Sequence, residues 1–63
     1  MVDKAGKEIN LGDTVEMWVK SDMVRGIVAE LNVEKIYVRV KYVTDKGKNR
    51  TRLELAKHNV SVV

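Results

Sequence analysis

The chain contains no cysteine and no phenylalanine, one histidine, and only one Trp and two Tyr among its 63 residues. Without cysteine there is no disulfide framework, no thiolate zinc site and no cysteine nucleophile. His58 stands alone, with no second His to share a metal and no visible nucleophile to serve, so surface or capping use is its expected role. The four glycines, Gly6, Gly12, Gly26 and Gly47, are dispersed one to a turn or bend, which excludes a phosphate-cradling glycine loop. No carboxylate pair combines an apolar pocket with a defined separation; Glu30 and Glu34 flank a turn and Asp13 follows a glycine. Catalysis is therefore not expected, and no cofactor or metal is implied. Long apolar runs are missing too, and the Met1 end is polar and charged, so neither a membrane span nor a secretory signal can be read. The expectation is a soluble cytoplasmic protein with no membrane partner and no evident small-molecule substrate.

What is present is an ordinary hydrophobic content of 44%, made mostly of Val, Leu, Ile and Met. That argues for one folded domain over residues 1–63 and against disorder. Domains of this size seldom gain more than ~3–5 kcal/mol from a single core and often add disulfides, a metal or a partner subunit. Here the first two supports are not provided.

Period-two alternation organises the middle of the chain. Ala5-Gly6 marks a turn between two short extended pieces, and Gly12-Asp13 marks a sharp corner. From Thr14 to Lys20, Val15, Met17 and Val19 share one face, with Trp18 on the other. Trp18 then either packs under the arm formed by residues 1–10 or lies exposed as a contact residue. From Val24 to Leu31 both parities are partly apolar, which fits a strand buried on both sides or bent, with Gly26 the natural bend. Ile36, Val38, Val40 and Tyr42 point inward from the next strand, and Tyr37, Arg39, Lys41 and Val43 outward. Thr44 to Asn49, with Gly47 suited to a left-handed backbone, is a strong hairpin connection.

Residues 50–58 carry two patterns. Thr51-Arg52-Leu53-Glu54 matches a helix capping box, while Thr51, Leu53 and Leu55 alternate with Arg50, Arg52 and Glu54 as in a return strand. The strand is favoured through Leu53 or Leu55, followed by one helical turn over Ala56-Lys57-His58 and a last strand from Val60 to Val63. Five short strands without a long helix predict an all-β fold, a small five-stranded antiparallel barrel whose closure removes unpaired edges.

Two strings of residues carry a family likeness. Asp3, Gly6, Ile9, Gly12, Asp13 and Val15, followed by Gly26, Val28 and Leu31, resemble small SH3-like barrels of the KOW and Tudor type, and many short proteins encoded in phages and mobile elements. Asn59-Val-Ser-Val-Val is similar to the closing strand of such barrels. Proteins with this barrel bind RNA, DNA, ribosomal components, RNA polymerase or peptide tails, and others serve in small oligomers. The resemblance thus implies a shape and a binding role, not a target. A methylated-residue cage needs several aromatics around one pocket, and only Trp18, Tyr37 and the inward Tyr42 are available.

Charge is divided along the chain. Residues 1–34 hold four cations against seven carboxylates, a net of −3, while residues 35–63 hold eight against two, a net of +6. Much of that excess surrounds the predicted hairpin. Arg39 and Lys41 leave their strand with Tyr37, Arg50 and Arg52 leave one face of the return strand, and Lys46 and Lys48 sit at the tip. If the register turns these sets outward together, a nucleic-acid backbone can lie across them, with Lys20 near and a base or sugar resting on Tyr37 or Trp18. The expected function is a non-enzymatic module contacting RNA or DNA backbone through this basic hairpin. The alternative is a protein-interaction or self-assembly unit, a small homo-oligomer or accessory subunit, with the acidic first half docking on the basic second half of a neighbour.

Overall fold

Alternating side chains set the first strand, as expected. In the computed structural model, which describes residues 1–63, β1 spans Thr14–Val19 with Val15 and Met17 buried and Glu16 and Trp18 turned the other way. β2 (Asp22–Asn32) returns antiparallel to it, followed by β3 (Tyr37–Val43), β4 (Asn49–Leu55), the single helical turn α1 (Ala56–Asn59) and β5 (Val60–Val62). All strand pairs are antiparallel, and the sheet order is β4-β3-β2-β1-β5. No ladder joins β4 to β5, so the structure is a five-stranded antiparallel sheet that hydrogen bonds do not close into a barrel.

One face of this sheet holds the core: Ile9, Val15, Met17, Val28, Val38, Val40, Ala56 and Val60. Burying each large aliphatic side chain contributes roughly 1.5–3 kcal/mol before chain entropy is subtracted. Apart from Met17 and Ala56 the residues are β-branched, as strands that pack a thin core favour.

The two-sided apolar pattern of β2 has a specific cause. Register shifts between Val28 and Glu30, leaving Ala29 as the extra residue, so Val28 faces Val40 and Leu31 faces Val38 on the same side despite their odd spacing. The irregularity therefore lies at Ala29 and not at Gly26, where the sequence suggested a bend. Gly26 serves another purpose: a Cβ there would stand 2.5 Å from Val40 Cγ1 and 2.6 Å from the Lys41 carbonyl oxygen. The absent side chain lets β3 come that close.

Ile36 also departs from expectation. It precedes β3 with φ +58° and is 40% exposed, so the inward alternation begins at Val38. The turn before it is fastened by Lys35 N–H donating to Asn32 Oδ1 at 3.1 Å.

The segment 1–10 folds back as a small hairpin, with Val2 bridging Glu8, and delivers Ile9 to the core. It covers the outer edge of β5 and not Trp18, which is 47% exposed. Lys4 N–H donates to the Val60 carbonyl at 3.0 Å, and Val62 N–H donates to Asp3 Oδ2 at 2.7 Å. Asp3 Oδ1 accepts from Ala5 and Lys7 N–H at 2.9 and 2.8 Å. Burial pushes this carboxyl's pKa up, but the backbone donors of Val62, Lys7 and Ala5 together outweigh it and hold the group below the ordinary aspartate value.

Residues 50–55 resolve as strand. Thr51, the would-be cap, pairs with Lys41, and α1 begins only at Ala56 without a side-chain cap. Hairpin pairing, with the Gly47 turn supplying the reversal at φ +80°, prevails over local helix propensity.

Candidate nucleic-acid interface

The basic residues take their positions from the β3–β4 register. Tyr37 pairs with Leu55, Arg39 with Leu53, Val40 with Arg52, Lys41 with Thr51, and Tyr42 with Arg50. Directly opposed residues of an antiparallel pair share a face. Val40 is buried, so Arg50 and Arg52 leave β4 on the core side of the sheet, while Tyr37, Arg39 and Lys41 leave β3 on the opposite, outer side. The two segments beside Gly47 do run antiparallel, but their cations are not turned outward together. This corrects the expectation of one basic surface: the sheet divides the set.

On the outer face, Arg39 is partly neutralised, its Nε lying 3.4 Å from Glu30 Oε2 across the β2–β3 ladder. Lys41 stands between Ile27 and Thr51. Tyr37 has apolar Leu55 beside it, and Leu53 is 57% exposed. Trp18 lies across the sheet opposite Met23, its backbone N–H and carbonyl clasped by the Asn59 amide at 3.0 and 2.8 Å. Tyr37 and Trp18 therefore do not adjoin Arg50 and Arg52.

The core side carries a different constellation. Beyond the end of the buried core, a groove of ≈ 550 Å³ runs between the β1–β2 turn and the β3–β4 hairpin. Val19, Val24 and Tyr42 line it together with Lys20, Arg50 and Arg52, and Asp22 and Asp45 also belong to its wall. Arg52 is fixed in place: its Nε donates to Glu54 Oε1 at 2.8 Å. That bond is the main cause holding the Arg52 pKa above the ordinary arginine value, and Tyr42 adds a smaller effect in the same direction. Lys20 enters from a tight turn with φ +57°, a conformation that glycine or asparagine would adopt at lower cost.

The hairpin tip extends this cationic end. Its connection is tied by Thr44 N–H to the Lys48 carbonyl at 2.9 Å, Gly47 N–H to the Thr44 carbonyl at 2.8 Å, and Lys48 N–H to Thr44 Oγ1 at 3.1 Å. Lys46 and Lys48 are exposed on it. Of the nine predicted contact residues, the groove thus brings together Lys20, Arg50 and Arg52, with Lys46 and Lys48 on the adjoining turn. Tyr37, Arg39, Lys41 and Trp18 belong to the other face. Tyr42, expected only to point inward, is the aromatic in the groove. Its position at the end of the inward parity, beside a turn, was the available signal.

The chain matches no protein-family model, no curated protein and no solved structure. No helix is long and apolar enough to cross a membrane.

Proposed function

We propose that the chain is a non-enzymatic binding module that grips the phosphate backbone of single-stranded nucleic acid in the groove of Lys20, Tyr42, Arg50 and Arg52. The observation carrying this reading is the convergence of Lys20, Arg50, Arg52 and one aromatic on a concave surface next to Lys46 and Lys48 on the hairpin tip, a cationic excess even with Asp22 and Asp45 in the groove wall and Arg52 paired to Glu54. A cationic groove with an aromatic platform is what a flexible strand requires, since phosphates find the cations and a base can stack on the ring. Sheet order, a helical turn before the last strand and the Gly26 approach also suit an SH3-like fold of the KOW type, with the sheet not closed by hydrogen bonds.

Lys20 supports the same reading. A lysine kept in left-handed backbone, where Gly would relieve strain, suggests that its ammonium group is needed there.

Labelled single-stranded and duplex oligonucleotides titrated at 50 and 200 mM salt test the proposal. With five phosphate contacts, affinity for a single strand should fall about 100-fold between these conditions. Arg50→Ala should weaken binding, and Lys20→Gly should lower the salt slope by about 0.7 while preserving stability. Arg39→Ala and Lys41→Ala, on the outer face, should leave affinity nearly unchanged. Absence of binding at low salt, or equal losses from both faces, would overturn the reading.

A further inference from the structure

The two edges of the sheet are treated differently. At β5 the outward-pointing groups of Val60 and Val62 are taken by Lys4 and Asp3, so that edge is covered. β4 has β3 on one side and no strand on the other. None of its seven residues is buried. An uncovered edge is a template for another strand, and proteins usually blunt it with charged side chains, proline or a bulge. β4 has no proline and no bulge, and its charged residues Arg50, Arg52 and Glu54 all lie on the core side, so Thr51, Leu53 and Leu55 leave the outer side of this edge uncharged.

Hydrogen-bond parity defines what the edge offers. Thr44 N–H bonds the Lys48 carbonyl at one end of the β3–β4 ladder, and Ala56 N–H bonds the Ile36 carbonyl at the other. Alternation between these ends directs the backbone groups of Arg50, Arg52 and Glu54 toward β3 and those of Thr51, Leu53 and Leu55 toward open solvent. We propose that β4 pairs antiparallel with β4 of a second copy of this chain, around a two-fold axis at Leu53, joining two five-stranded sheets into one.

This register is self-complementary. Leu53 faces its own counterpart, Thr51 faces Leu55 of the second copy, and about six backbone hydrogen bonds form between outward groups. On the outer face the exposed Leu53 and Leu55 gain apolar neighbours. On the core side each Arg52, already bonded to its own Glu54, lies opposite the Glu54 of the other copy, so charges of opposite sign adjoin across the junction and no like charges meet. A shift that centres the pairing on Arg52 would set two guanidinium groups against each other. The Leu53 register is therefore selected by charge.

One strand edge buries less than the ~1,200 Å² of a standard stable interface, so the dimer is weak and reversible. Sedimentation velocity from about 10 µM to 1 mM should show a concentration-dependent rise in mass. A strict monomer at the upper limit overturns the proposal. Leu53→Lys, which opposes two ammonium groups at the axis, should be monomeric throughout with an unchanged circular dichroism spectrum; a dimer of parental affinity overturns it. Because the chain lacks cysteine, Leu53→Cys and Thr51→Cys can each be treated with a short bismaleimide. Leu53→Cys should cross-link in high yield and Thr51→Cys poorly, and equal or reversed yields overturn the register.

Discussion

Asp3 is the point at which a single atom exchange should have the largest effect on the fold. Its carboxylate is 2% exposed and accepts three backbone N–H bonds, two at Oδ1 and one at Oδ2, tying the N-terminal arm to the last strand. Asp3→Asn keeps the shape and one acceptor. If its oxygen stays with Ala5 and Lys7, its amide N–H₂ group is set against the Val62 N–H, donor against donor. The loss of one charge-assisted bond and the weakening of two others cost about 2–4 kcal/mol. Since a core of this size supplies ~3–5 kcal/mol, the variant should be largely unfolded or melt at least ~10 °C lower. The pH dependence carries the same signature. The folded carboxyl titrates below its unfolded value of about 3.9, so the unfolded chain binds more protons in that window. Its stabilisation is complete above pH ~4 and disappears as pH falls toward the lowered folded pKa. Thermal melts followed by far-ultraviolet circular dichroism from pH 7 to 2 measure both effects. A variant melting within ~2 °C of the parent at pH 7, or an acid limb equally steep in both proteins, would refute the reasoning.

Gly26→Ala should cost about 2–3 kcal/mol in urea unfolding, because the new methyl meets the Lys41 carbonyl, which cannot rotate away as Val40 can. An unchanged midpoint would mean that β2 and β3 separate freely. Ile36→Asn should raise stability by about 0.5–1 kcal/mol, since asparagine tolerates φ +58° and the isoleucine is already 40% exposed. A fall in the urea midpoint would show that the side chain's packing outweighs its backbone strain.

The strands were legible wherever one face meets the core and the other does not, as in β1 and β3. Period-two alternation reports that asymmetry directly. It could not report where a strand begins: Ile36 extends the pattern of Val38 and Val40 by one more step, yet its backbone is left-handed. The conflict of parities in β2 was visible, but its resolution at Ala29 was not. Alanine announces nothing, whereas Gly26 attracts attention for a reason that belongs to its neighbour strand. Residues 50–55 satisfied strand and helix patterns alike, and pairing with β3 decided between them.

The basic residues of the candidate site were legible as a set but not as a geometry, because loop length controls which of them meet. Five residues, Thr44 to Lys48, separate the paired Val43 and Asn49. An odd number of loop residues joins positions of like parity, so Arg39 and Lys41 pair with Leu53 and Thr51, and Arg50 and Arg52 with Tyr42 and Val40. A connection one residue longer or shorter would have put all four cations on one face, and would have exposed the same number of charges with the same composition. The consequence here is two surfaces with different capacities. A cationic, aromatic groove faces one way, and an apolar, self-complementary edge carries Leu53 and Leu55 the other way. Because a two-fold axis through Leu53 stands perpendicular to the joined sheet, both copies would present their grooves on the same side. Self-pairing and nucleic-acid binding would then not compete for the outer face, although both draw on Arg52.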